Sequence, residues 1–195
     1  MQGAPQPSDD LDRVEALRAT GVQDGAKREE LDAIAKRAAD VFGTSVAVIS
    51  AIDEDHEYFL GQSGRLPDAV TDKTGMPLPI SREHAICNYV VAHDKALVVP
   101  DMERDPRFAD NKTIGQWDMR FYAGAPLRLA DGSIIGALCI LDPNPRKLEE
   151  DEVALLTTMA ANVVAIINSS EATTENRVKE PSIVSSATVA QDVPE

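Results

Sequence analysis

The chain has 195 residues and a net charge of −14 from 33 acidic and 19 basic side chains. That length suits one domain with tails, and the absence of clustered Lys and Arg excludes DNA or RNA as an expected partner. No run of about 20 apolar residues offers a membrane span, and the N-terminus MQGAPQPSDD lacks the basic and apolar regions of a secretory signal. The expectation is a cytoplasmic protein with no membrane partner. Its two cysteines, Cys87 and Cys139, form neither a CxxC pair nor a metal-binding spacing, so both are expected as reduced, buried thiols.

Residues 1–8 carry two prolines and no periodicity and are expected to be disordered. Leu11, Val14 and Leu17 give a short helical stripe before Gly21. The spacing of Leu31, Ile34, Ala35, Ala38, Val41 and Phe42 predicts a helix over Arg28 to Phe42, stopped by Gly43. Ser45 to Asp53 reads as a central strand covered on both faces, and His56 to Ser63 as its hairpin partner. A long loop, Gly64 to Pro79, leads to Ser81, which reads as the N-cap of a helix over Arg82 to His93. Ala96 to Val99 is a short strand. The acidic loop from Asp101 to Gln116 is too polar and too rich in special residues to be a mere connector. Phe121 to Arg128 and Ser133 to Asp142 form a hairpin around Ala130-Asp131-Gly132. A helix follows over Glu149 to Ser169, with Val153, Leu156, Met159, Ala160, Val163 and Ile167 on one stripe. The pattern stops there, so residues 171–195 are expected as a disordered tail and residues 9–170 as the folded domain.

Hairpin-length turns between strands predict an antiparallel sheet in an α+β fold. The N- and C-terminal helices can share one face. The middle helix and loops are left for the other, where a small-molecule cavity is natural. The order of these elements, with LDAIAKRAADVFGTSVAVISAIDEDHEYF, AICNYVVAHDKALVVPDMERDPRFADN and RFYAGAPLRLADGSIIGALCILDPNPRKLEEDEVALL, resembles the GAF domains of bacterial histidine kinases and diguanylate cyclases. The resemblance implies an antiparallel sheet of about six strands between helix layers. It implies a domain that binds a small ligand or tetrapyrrole, or dimerises and relays signals. No phosphoacceptor helix or ATP-binding domain follows Ser170, so the expectation is a stand-alone sensor, a fragment, or one part of a relay with a separate output protein.

The expected pocket residues are Phe59, His84, Cys87, Asp101, Arg107, Phe108, Trp117, Phe121 and Tyr122. Cys87 lies on the helix that faces the pocket in such domains. In free methionine-(R)-sulfoxide reductases, which share the family, a pocket cysteine is the nucleophile and another resolves it. The loop from Asp101 to Gln116 holds no cysteine, which argues against that enzyme and leans away from catalysis altogether. Covalent bilin is disfavoured because no Cys-His pair exists. Haem would need an axial histidine, and His84 is a better candidate than His56 or His93. Arg107 can hold the loop by pairing with Asp101 or Asp105, or meet a polar ligand. Asn111-Lys112 only faintly echoes the cyclic-nucleotide motif, so neither cAMP nor cGMP is expected. Trp117, Phe121 and Tyr122 concentrate aromatics at a pocket wall, and Gly124 and Pro126 mark a strand beside the cavity. The leading expectation is a small-molecule sensor in two-component or cyclic-di-nucleotide signalling. The alternative is a ligand-free module dimerising through Arg28 to Phe42 and Glu149 to Ser169.

Overall fold

A computed structural model describes residues 3–66, 68–109 and 118–177, without the side chains of 69 and 170–177. Helix α1 (Asp10–Ala19) buries Val14 and Leu17, while Leu11 turns to solvent. Helix α2 (Arg28–Phe42) buries Leu31, Ala35, Ala38, Ala39 and Phe42. It ends at Gly43, whose φ of 59° lets the Thr44 amide reach back to the Ala39 carbonyl at 3.0 Å. Val41, expected on the buried stripe, sits at its edge and is half exposed.

Six antiparallel strands follow: β1 (Val46–Ile52), β2 (His56–Ser63), β3 (Ile80–Ser81), β4 (Leu97–Val99), β5 (Phe121–Arg128) and β6 (Ile134–Asp142). Their spatial order is β3-β2-β1-β6-β5-β4, so the fully buried β1 is central, as its unbroken apolar run implied. Side chains alternate between two cores. On one face Ile49, Phe121, Leu138 and Ile140 meet Leu31 and Phe42 of α2 and the last helix, α4 (Glu150–Arg177). On the other face Val48, Ile52, Phe59, Tyr122, Cys139 and Leu141 meet α3 (Cys87–His93) and the loop carrying Met102 and Phe108.

The structure departs from the sequence reading in four places. Strand β3 falls where the sequence predicts the end of a loop and a helix cap, because two residues are too few to show alternation. Ser81 lies in that strand and makes no side-chain cap bond. The helix expected over Arg82 to His93 splits into a 3-10 turn (Arg82–His84), an extended Ala85 at φ −76°, ψ 120°, and α3. Arg82 causes this by pointing inward, bonding Asn88 at 3.1 Å and Asp10 at 2.7 and 2.8 Å. Helix α4 continues to Arg177, past the expected end at Ser169. Finally, Ala4 in the segment expected to be disordered packs against the second core.

Among the described residues, Glu150–Ser169 of α4 has the length and, at a mean hydropathy of 1.4, the composition of a membrane-spanning candidate. Its stripe of Leu156, Met159, Ala160, Val163 and Ile167 packs on the sheet, as a core helix does.

Candidate functional site

Between the sheet and α3 lies a cavity of about 30 Å³, room for only a water or two. Its walls are apolar: Val48, Phe59, Ile80, Ile86, Met102 and Leu141. Its floor is polar and comes from three strands and a helix. The pleat turns Glu57 of β2, Tyr122 of β5 and Cys139 of β6 toward it, and α3 lays Cys87 over them. Ser50 of β1 is on the same side. The register shifts between Ile49, which pairs with Gly61, and Ser50, which pairs with Phe59, so Leu60 is the extra residue of a bulge on β2 and packs in the opposite core.

The cysteines, far apart in sequence, meet here. Cys87 Sγ and Cys139 Sγ are 3.0 Å apart, and the Tyr122 hydroxyl reaches both, at 3.4 and 3.1 Å. Glu57 is 3% exposed and Ser50 fully buried, yet Glu57 Oε1 and Ser50 Oγ lack hydrogen-bond partners among the described residues. Burial pushes the Glu57 carboxyl up; neighbouring Cys87 and Ser50 pull it down less strongly and without completing a bond to these two atoms. Burial likewise pushes the Cys87 thiol well up, reinforced by Cys139 and Glu57. It does the same to the Tyr122 phenol, beside both sulfurs.

Gly124 belongs to this floor indirectly. A Cβ there would stand 2.4 Å from the Tyr122 hydroxyl and 3.1 Å from Val90, so its missing side chain is the space Tyr122 occupies. Gly124→Ala is expected to push the ring off both sulfurs and lower stability by about 1 kcal/mol, read by urea denaturation. Unchanged stability together with unchanged Tyr122 chemical shifts would refute this.

Of the expected pocket residues, Phe59, Cys87 and Tyr122 line the cavity and His84 stands at its mouth, exposed. Phe108 is buried in the same core, edge-on to Tyr89 with centroids 5.1 Å apart, without lining the cavity. Three assignments to the pocket are corrected, and for Arg107 the loop-holding alternative, pairing with Asp105, is the one found. Phe121 faces α2 and α4, because successive residues of a strand point to opposite faces and Tyr122 takes the cavity side. Asp101 is held by Arg120 at 2.6 Å and by Arg104 at 3.3 Å, and its carboxyl is kept low by the Arg120 hydrogen bond. Arg107 forks onto Asp105 at 2.9 and 2.6 Å and lies over the Phe108 ring at 5.0 Å. Those charges brace the loop and do not reach the cavity. Trp117, Asn111 and Lys112 lie outside the described residues.

Sequence reasoning missed Glu57, Ser50, Cys139 and Met102. Alternation carried the signal for two of them: Glu57 shares a face with Phe59 and Cys139 with Leu141, so an acid and a thiol were aimed at the pocket side.

A tetrapyrrole does not fit a cavity of about 30 Å³. His56 is exposed at the start of β2, and His93 is exposed with Nδ1 2.9 Å from the Tyr89 carbonyl oxygen, so neither faces the cavity.

The sequence pattern of the GAF domain matches residues 28–167. The chain belongs to the GAF domain family. It is 33% identical over 183 residues to a cyclic di-GMP phosphodiesterase of Pseudomonas aeruginosa, an alignment that takes in 93% of this chain and only 29% of that protein. The solved type II free methionine-R-sulfoxide reductase of Thermoplasma acidophilum superposes with a TM-score of 0.58 at 12% identity, covering 73% of this chain and 92% of that one. A domain assigned to a two-component sensor histidine kinase of Sinorhizobium meliloti gives 0.58 at 15% identity, covering 78% and 98%. At such identities the structures share the fold. This GAF domain is thus related to part of a cyclic di-GMP phosphodiesterase, and its antiparallel six-stranded sheet with paired helices on one face is the one its sequence predicted.

Proposed function

We propose that this GAF domain is a cytoplasmic sensory module of bacterial cyclic-di-nucleotide or two-component signalling, taking a small molecule into the cavity beneath α3. The observation that carries the reading is a buried, apolar-walled cavity with an unsatisfied acceptor, Glu57 Oε1, on its floor. Relatedness to a cyclic di-GMP phosphodiesterase supports the signalling context. At about 30 Å³ the cavity is small, so a ligand larger than a few atoms binds by favouring a state in which α3 and the loop after Pro100 swing out. Strand β5 is the natural relay. Tyr122 faces the cavity while its neighbours Phe121 and Ala123 pack in the core shared with α2 and α4. Occupancy would thereby reach the terminal helices, a homodimer formed through them, and a separate output partner.

A second reading, dimerisation without a ligand, draws on the half-exposed Val41 and Leu155 on α2 and α4. A third, reductase-like catalysis with Cys87, gains from the adjacent second thiol. Turnover of free methionine-(R)-sulfoxide tests it directly.

Native mass spectrometry of the full chain tests the sensor reading, first as purified and then against a library of small metabolites. The expected result is a non-covalent mass that disappears on denaturation and in Ala85→Leu, which fills the cavity from the α3 side. A folded protein that retains and gains no ligand overturns the reading.

A further inference from the structure

We propose that Cys87 and Cys139 are a reversible redox pair, closed to a disulfide by a small peroxide entering the cavity. The pair is built by tertiary structure alone, one sulfur from α3 and the other from β6, 3.0 Å apart. A disulfide needs about 2.0 Å, so the sulfurs must close by about 1 Å. The hydroxyl of Tyr122 contacts both sulfurs and Glu57 lies beside Cys87, so proton-carrying groups are already in position.

The two thiols are unequal. Cys87 is 6% exposed and three residues from the exposed His84 at the cavity mouth, while Cys139 is sealed at 0%. Cys87 is therefore the attacked thiol and Cys139 the resolving one. Cys87 Sγ forms a bond to one peroxide oxygen as the O–O bond breaks, and the departing hydroxide leaves as water with the Cys87 thiol proton. Cys139 Sγ then attacks Cys87 Sγ. The S–S bond forms, the S–O bond breaks, and the hydroxyl leaves as a second water with the Cys139 proton. The two thiols give up two electrons and two protons in all, and the peroxide takes them. Burial disfavours the thiolate of Cys87, which makes the reaction slow and leaves cavity size as the selector. A peroxide fits a space of about 30 Å³ and a bulky disulfide such as oxidised glutathione does not. The bond would pin α3 to β6 across the cavity, so oxidation would hold the ligand site shut.

The full chain is treated with hydrogen peroxide or with oxidised glutathione, denatured, alkylated and weighed. With peroxide the protein is expected to lose the mass of two hydrogens and to resist alkylation at both cysteines. Dithiothreitol should restore both. Oxidised glutathione should act at least about 10-fold more slowly. Cys139→Ser should leave Cys87 as a sulfenic acid trapped by dimedone. Tyr122→Phe, which keeps the ring and removes the shared hydroxyl, should slow closure about 10-fold while leaving the fold intact. Two thiols still free after peroxide, sulfinic acid at Cys87 without a cross-link, or a link only between chains would each overturn the proposal.

Discussion

Replacing Asp10 with Ala is expected to cost about 3–5 kcal/mol of stability. Asp10 accepts from Arg13 Nε at 2.7 Å and from the Arg82 fork at 2.7 and 2.8 Å. Arg13 is 1% exposed and Arg82 5% exposed, so removing the carboxylate strands two buried guanidinium groups facing each other. Both also bond the turn between β1 and β2, Arg13 at the Ile52 carbonyl and Arg82 at those of Asp53 and Glu54. The cluster thus ties α1, the hairpin and the start of α3 together. Burial alone would raise the Asp10 carboxyl; the Arg82 hydrogen bond and the charges of Arg13 and Arg82 outweigh it and hold it below the ordinary 3.8. A depressed folded-state pKa contributes stability that is present above that ordinary value and lost as pH falls through the folded one. Urea titrations should show this acid limb in the parent and a shallower one in Asp10→Ala. A loss under about 1 kcal/mol would mean that water, and not Asp10, solvates the two arginines.

Glu57→Leu works in the opposite direction. It is expected to raise stability by about 1–3 kcal/mol, because a buried carboxyl with an unpartnered oxygen is exchanged for an apolar side chain in an apolar core. It should also abolish ligand binding at the cavity. The pH signature is reversed relative to Asp10. Burial raises Glu57 above its ordinary 4.5, so its contribution is fully present below that value and is lost as pH rises through the folded pKa. The parent should lose stability over that window, and Glu57→Leu should not. Gain of stability with loss of binding is the mark of a group kept for function at the expense of the fold. A destabilised Glu57→Leu would instead make Glu57 a satisfied structural residue and weaken the sensor reading.

How far the sequence discloses this protein depends on the length scale of the signal. Helix α2 ends where its apolar spacing and Gly43 say it should, and β1 is central because its run of apolar residues has no wet face. Both signals are local and periodic. The pocket aromatics were harder to place, because Phe121 and Tyr122 are adjacent and only the register of β5 decides which one faces α3. The split of the middle helix depends on Arg82 reaching Asp10, 72 positions away, and no local propensity encodes that. The meeting of Cys87 and Cys139 is of the same kind. For Asp101 and Arg107 the sequence left two readings open, holding the loop or meeting a polar ligand. In the fold they find Arg120 and Asp105 and serve to stiffen the loop.

The claim at the centre of this account is that a small molecule enters the cavity and is felt at the terminal helices. Backbone and methyl NMR of the full chain, titrated with a library of small fragments, tests it most directly. The account predicts a fragment that shifts Glu57, Cys87, Met102 and Tyr122 and, through β5, also Leu156, Met159 and Val163 on α4. Fragments that perturb only the exposed edges of α2 and α4, leaving the cavity residues unmoved at saturation, would contradict it and favour a dimerisation module.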